Sequence, residues 1–313
     1  MHVFVTGGTG LVGSRLIERL LARGDRVTVL TRRAEVAEAK WGGRCTSIPG
    51  DPVHAGDWMK ALADCDATVN LAGENLFARR WNAAFKDLLR SSRLQSIANI
   101  VQALAQNPRR SDGSPRVLVA GSAIGYYGPC GDEELDETAP PGNDFLAQLC
   151  VDWENATKPA ADAGVRVVNL RTGIVLDAAG GPLKLMLTPF KMFVGGPIGG
   201  GRQWMSWIHH VDETGLILFA LDTAQAKGPI NAVSPEPKTN KEFSRTLGRV
   251  LRRPGFMPTP AFGLRVMVGE AACVITTGQR ILPRKALELG YTFQFPELEG
   301  ALRELLGRPL PPS

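Results

Sequence analysis

The chain of 313 residues lacks the features that mark several functional classes. No block of like charges interrupts it, and its 36 basic and 31 acidic residues leave a net charge of only +5. Without a basic stripe or regular aromatic spacing, nucleic acid is not an expected partner. The five cysteines (Cys45, Cys65, Cys130, Cys150 and Cys273) are odd in number and scattered, with no C-x-x-C pair. That pattern excludes a disulfide framework and a zinc site, and predicts reduced thiols, a cytoplasmic setting and no metal. No segment approaches the ~18 uninterrupted apolar residues of a membrane span, so no membrane partner is expected. The opening "MHVFVTGG" moves directly into a strand pattern rather than the charged and apolar regions of a signal peptide.

What is present is a rhythm of short β-branched runs and helical stretches. "HVFVT", "RVTVLTR", "CTSIPGD", "ATVNLAG", "RVLVAGS" and "VRVVNLRTGIVL" alternate with segments such as "LVGSRLIERLLARG", in which Leu16, Ile17, Leu20 and Leu21 form one apolar face. Apolar strands separated by amphipathic helices predict an α/β protein with a doubly wound, Rossmann-type parallel sheet. After about Leu176 the connections become rich in glycine and proline, which predicts a smaller C-terminal substrate-side lobe over 177–313. The expected dinucleotide domain is 1–176, with 208–235 returning to it through "GPINAVS".

Between the first strand and first helix stands "TGGTGLVG". Glycines at 7, 10 and 13 let the backbone approach a pyrophosphate, aim a helix N-terminus at its charge and permit close helix–sheet packing. Gly7, Thr9, Gly10, Leu11, Val12 and Gly13 are therefore the expected cofactor-binding residues of this turn. The second strand ends in "LTRR" where an NAD site would present an acid. Arg32 and Arg33 suit a 2′-phosphate instead, which makes NADP the expected cofactor.

Together with "NLAGEN", "SAIGYYG" and "SWIHHVDE", the glycine turn resembles the extended short-chain dehydrogenase/reductase superfamily. "RWNAAFKDLLRSSRLQS", "GGPIGGGRQWMSWIH" and "GQRILPRKALELGYTFQFPELEGAL" are similar to its sparsely characterised epimerase-family branch, which carries a C-terminal domain of unknown function. The resemblance implies that Thr31 and Arg32 face the 2′-phosphate, Asp51 lies near the adenine, and Leu71, Ala72 and Gly73 line the nicotinamide-ribose side. It also implies a tyrosine and a lysine four residues apart, with a serine to polarise the substrate. Phe145 and Leu149 stand in the first two places. Ala123 aligns with the serine, and a one-residue bulge would bring Ser122 to it.

Ser122 and Tyr127 are the candidate catalytic residues that remain. Tyr126 and Tyr127 are two of only three tyrosines, and Glu74, Asn75, Arg79 and Arg80 follow the fourth strand at the same sheet edge. His209 and His210, adjacent on an expected strand, should point to opposite faces. Two functional readings follow. One is an NADP-dependent oxidoreductase or epimerase acting on a small polar carbonyl or hydroxyl compound, such as a nucleotide-linked sugar; the other is a non-catalytic NADP(H)-binding sensor or regulator. A polar substrate channel favours the first, an apolar plug beside the nicotinamide the second. From "LTRR", NADPH should bind at least tenfold more tightly than NADH, roughly 1.4 kcal/mol. Calorimetric titration of both checks this, and Arg32→Asp should erase the preference.

Overall fold

In the computed structural model, which describes residues 1–258, 260, 262 and 269–309, the β-branched runs form the predicted sheet. The strands β1 (His2–Thr6), β2 (Arg26–Thr31), β3 (Thr46–Pro49), β4 (Ala67–Asn70) and β5 (Val117–Ala123) precede a short β6 (Glu134–Leu135) and β7 (Arg166–Thr172). After β8 (Ile174–Leu176), β9 (Trp204–Met205) and β10 (Trp207–His209) comes β11 (Gly228–Ala232). Seven of these make one sheet in the order β11-β7-β5-β4-β1-β2-β3, and every pairing in it is parallel. The doubly wound fold is thus observed. The strand order reverses between β1 and β4, which sets the crevice for a ligand at their carboxyl ends.

Two apolar layers cover the sheet. On one face α1 (Leu11–Ala22) buries Leu16, Ile17 and Leu20 against Val3, Val5 and Val29. The same core takes Leu216, Ile217 and Leu221 from a later helix and Ala286 and Phe293 from near the C-terminus, so apolar burial does not stop at Leu176. After α2 (Ala34–Trp41) and α3 (Trp58–Ala63), the long helix α4 (Ala83–Gln106) covers the other face and buries Ile97, Ile100 and Leu104 against Phe4, Leu30 and Leu118. Asn82 caps it by accepting from the Phe85 amide. A third cluster, including Leu183, Leu187, Trp207, Phe243 and Leu302, organises the C-terminal side.

"VRVVNLRTGIVL" reads as one run but is two strands. It breaks at Gly173, where a Cβ would stand 2.5 Å from the Ser206 carbonyl oxygen. Beyond the break β8 leaves the main sheet and pairs with β10. "GPINAVS" does return, as edge strand β11 beside β7. Among the described residues no helix is long and apolar enough to cross a membrane.

The helix over His210–Asp222 carries two buried acids with different fates. Asp212 accepts from the Gln294 and Phe295 amides, tying the C-terminal segment to the sheet layer. Glu213, 1% exposed, accepts from Thr172, and among the described residues its Oε2 has no partner. Burial pushes its pKa up to about 8. The folded chain therefore holds this proton more tightly than the unfolded chain. The associated stability is complete below about pH 4.5 and declines as pH rises toward 8. Glu213→Gln, neutral throughout, should remove the decline. Urea melts should show the variant gaining on the wild type between pH 5 and 8, by at most ~1.4 kcal/mol per pH unit, with no further gain at higher pH.

Candidate active site

The glycine turn sits at the point where the strand order reverses. Gly7 has φ +69°, and a Cβ there would lie 2.5 Å from the Leu71 carbonyl oxygen, so the turn after β1 and the loop after β4 meet backbone to backbone. Gly13 is packed equally closely, its missing Cβ 2.4 Å from the Gly7 carbonyl oxygen. Gly10 is the N-cap of α1 and supplies no side-chain cap, which leaves first-turn amides for a ligand. Thr9, Gly10 and Leu11 border a cavity of about 510 Å³ that extends to Trp41 and Gly180. Val12 packs its side chain toward the sheet core, so only its backbone belongs to the turn.

The expected adenosine-side residues converge at the next strand ends. Thr31 is buried at the end of β2, its hydroxyl accepting from the Arg33 amide. Arg32 is exposed and reaches Asp51 at 3.6 Å, and Arg33 is also exposed. This loose ion pair leaves the guanidinium able to change partners at little cost. Leu71 and Ala72 are half-buried and Gly73 exposed on the loop after β4.

The catalytic expectations fare differently. The register of β5 on β7 runs without interruption from Val117 opposite Arg166 to Ala123 opposite Thr172, so no bulge advances Ser122. Ser122 is 5% exposed and donates to Glu154 at 2.7 Å. Arg171 clamps the same carboxylate with bonds of 2.8 and 2.9 Å, and donates to the Tyr127 hydroxyl at 2.9 Å. Tyr127, 2% exposed, donates in turn to Asn231 at 2.7 Å. Burial pushes its pKa up to about 12 despite the guanidinium beside it. Ser122 and Tyr127, the candidate catalytic residues, thus both belong to a buried network that joins β5, β7 and β11. Tyr126 is the half-buried member of the pair, with the Arg171 guanidinium 3.4 Å from its ring centroid.

At Phe145 and Leu149, α4 (Ala83–Gln106) meets α5 (Phe145–Asn155) through apolar contacts. Leu149 is buried with Trp81, Phe85, Leu89 and Ala271, and Phe145 packs edge-on to Trp81 at 5.6 Å. Lys86 stands over the Phe145 ring at 5.1 Å. Glu74 hydrogen-bonds the Ser92 hydroxyl through its amide, Asn75 accepts from the Phe77 amide, and Arg79 and Arg80 are exposed.

His209 and His210 do not point to opposite faces, because the chain passes from β10 into a helix between them and their rings stack at 4.6 Å. With Glu304 they form a cluster whose ligand atoms lie within 4.8 Å of one another. His209 Nδ1 accepts from the Val211 amide, so the neutral ring carries its proton on Nε2, which lies 3.0 Å from Glu304. That proton occupies the position a metal would need. All five cysteines are free.

A Rossmann-type sheet with a glycine-lined crevice at its switch point defines a dinucleotide-binding class of α/β protein. The chain belongs to the NAD dependent epimerase/dehydratase family, whose model matches residues 3–233, and a domain of unknown function, DUF1731, matches 259–305. It is 39% identical over 307 residues to the chloroplastic epimerase family protein SDR39U1 homolog of Arabidopsis thaliana, covering 98% of this chain and 87% of that protein. The crystal structure of human epimerase family protein SDR39U1 with NADPH superposes with a TM-score of 0.85 at 35% identity, covering 98% of this chain and 99% of that one. The UDP-glucose 4-epimerase of Thermus thermophilus, in complex with NAD, shares the fold at 20% identity and a TM-score of 0.76, over 98% of this chain and 99% of that chain.

The glycine geometry makes a direct stability prediction. Gly13→Ala forces a Cβ onto a backbone oxygen that cannot swing aside, and should cost about 1 to 3 kcal/mol. Gly300→Ala lies in a helix with nothing within 4 Å of the new atom, and should be neutral or stabilise by roughly 0.5 to 1 kcal/mol. Urea denaturation of the two variants measures the contrast.

Proposed function

We propose that the chain is an NADP(H)-binding protein whose cofactor site is intact and whose tyrosine–lysine proton-transfer machinery has been replaced by packing. The observation that carries this reading is the apolar cluster of Trp81, Phe85, Leu89, Phe145 and Leu149, which fills the place where the acid–base pair would stand. Gly7, Thr9, Gly10, Leu11, Val12 and Gly13 hold the pyrophosphate, a role supported by the first-turn amides of α1 that Gly10 leaves without a side-chain cap. Thr31, Arg32 and Arg33 take the 2′-phosphate and Asp51 the adenine side. Leu71, Ala72 and Gly73 border the nicotinamide ribose. NADPH in the human relative's crystal supports the choice of dinucleotide. When bound, the nicotinamide supplies hydride chemistry, but neither Phe145 nor Leu149 can hold or move a proton beside it. Occupancy of the site, rather than turnover, is then the protein's output.

A second reading, an oxidoreductase or epimerase acting on a small polar carbonyl compound or nucleotide sugar, is favoured by one feature. The Tyr126 phenol is half-buried and has no hydrogen-bond partner among the described residues, with the Arg171 guanidinium 3.4 Å from its ring centroid. An NADPH-absorbance screen of carbonyl compounds and sugar nucleotides separates the two. The expected result is tight NADPH binding with turnover at background, since loss of a positioned general acid removes about 10²- to 10⁴-fold of rate. Brisk turnover that disappears in Tyr126→Phe would establish the second reading instead.

A further inference from the structure

The helices over Gly181–Lys191 and Asn240–Leu251 end in the same way, and their ends meet. In the first, the Phe193 amide donates to the Phe190 carbonyl and the Val194 amide to the Pro189 carbonyl. In the second, the Arg252 amide donates to the Arg249 carbonyl and the Arg253 amide to the Gly248 carbonyl. Both are Schellman closures, whose turning residue lies in the left-handed region and is ordinarily glycine. Here it is Phe193 at φ +64° and Arg252 at φ +56°, while every other positive-φ residue among those described is glycine. An exposed ring and an exposed guanidinium are thus held where the backbone favours neither. The Arg253 guanidinium lies 4.3 Å from the Phe193 ring centroid and the Met257 amide donates to the Gly195 carbonyl, so the two ends form one surface.

That surface is apolar and carries charge of one sign. Leu185 and Phe256 are 74% and 72% exposed, and Met192, Phe193, Val194 and Met257 are exposed as well. Segments 178–211 and 243–258 contain no Asp or Glu, although the whole chain carries 31 acids against 36 bases. Lys184 and Lys191 immediately precede Leu185 and Met192, and Arg252 and Arg253 lead into Phe256; all four are exposed. Among the described residues none of the four has a carboxylate at ion-pair distance, whereas Arg249, one turn back, is taken by Glu299 at 2.6 Å.

A patch of this kind marks a docking surface, and its charge selects the occupant. A second copy docked through the same patch would set these cations against their equivalents. A bilayer of anionic lipid offers a continuous apolar layer beneath a continuous negative one, which matches apolar side chains adjoined by cations and requires no matched groove. We propose that the paired helix ends form a membrane-surface contact: Met192, Phe193 and Phe256 enter the headgroup boundary of an anionic bilayer, and Lys184, Lys191, Arg252 and Arg253 lie against its phosphates. The absence, among the described residues, of a helix long and apolar enough to cross a membrane bears on spanning a bilayer and not on lying against one.

Co-sedimentation of the full chain with vesicles tests this. Wild type should pellet with vesicles of mixed phosphatidylglycerol and phosphatidylcholine, bind phosphatidylcholine alone about tenfold or more weakly, and lose part of its binding as salt is raised. Phe193→Gly combined with Arg252→Gly removes one ring and one cation while giving both turns their preferred residue. The double variant should bind the anionic vesicles about tenfold or more weakly, yet unfold at a urea concentration no lower than wild type. A merely structural role would lower both readings together and overturn the assignment. Wild type that pelleted with neither vesicle, or a double variant that bound as wild type does, would overturn it too. Binding to poly-glutamate in place of vesicles would give the surface to an acidic protein instead, and dimers that vanish in the double variant would give it to a second copy.

Discussion

The Arg171–Glu154 pair is the constraint around which the site is arranged. Arg171 comes from the end of β7 and Glu154 from α5, and two bonds below 3 Å fix the helix against the sheet. Burial opposes the charge on Arg171, but the bonds to Glu154 more than offset it and raise the guanidinium pKa above its ordinary value. A buried ion pair holds only when its remaining hydrogen-bonding capacity is used. Ser122 and Tyr127 use it, one donating to the carboxylate and the other accepting from the guanidinium. The network continues through Asn231, whose amide donates to Glu137 and whose side chain donates to the Leu282 carbonyl. Ser122 and Tyr127 thereby help to join β5, β7, β11 and the C-terminal segment.

The cofactor side obeys a separate constraint, the backbone approach of the β1 turn to the β4 loop. It requires only that residues 7 and 13 lack side chains and that β1 and β4 be neighbours. Thr6 and Asn70 secure this pairing, opposite one another in register and bonded through their side chains at 2.6 Å. Nothing in it depends on α5. The dinucleotide crevice and the α4–α5 packing around Phe145 and Leu149 are held by different contacts, so the form of the first does not depend on the second.

Much of this was legible along the chain because its causes are local. The β-branched runs alternate with amphipathic helices, and the three glycines fall between one strand and one helix, so sheet class and crevice follow from short-range pattern. Arg32 and Asp51 meet because adjacent parallel strands end side by side. The missed features depend on distant partners. Tyr127 lies in a glycine-bounded loop, but the Asn231 that accepts its hydrogen bond stands 104 residues away. Ser122 was lost to Glu154, 32 residues on, and no local residue announces a bulge or its absence. The break at Gly173 comes from the Ser206 carbonyl pressing on it, again from afar. Arg93, an α4 cation with no carboxylate at ion-pair distance among the described residues, did have a signal: "KDLLRSSR" sets three cations on one helical face beside a helix with only two acids in reach, Asp152 and Glu154.

That stripe also explains why Leu149 and Arg93 belong together. Leu149 is 2% exposed among Phe85, Leu89 and Ala271, where a lysine would need a nearby anion or water to stay charged. The α5 acids are already committed, Asp152 to Arg90 and Glu154 to Arg171. Arg93 places its charge at the same level but against two carbonyl oxygens and an indole face, partners that stabilise a guanidinium without neutralising it. A lysine at 149 beside that guanidinium would set two like charges in a desolvated space with no carboxylate left to separate them. The space between α4 and α5 accommodates one cation, and once arginine occupies it from α4, an apolar residue at 149 is the choice that electrostatics permits.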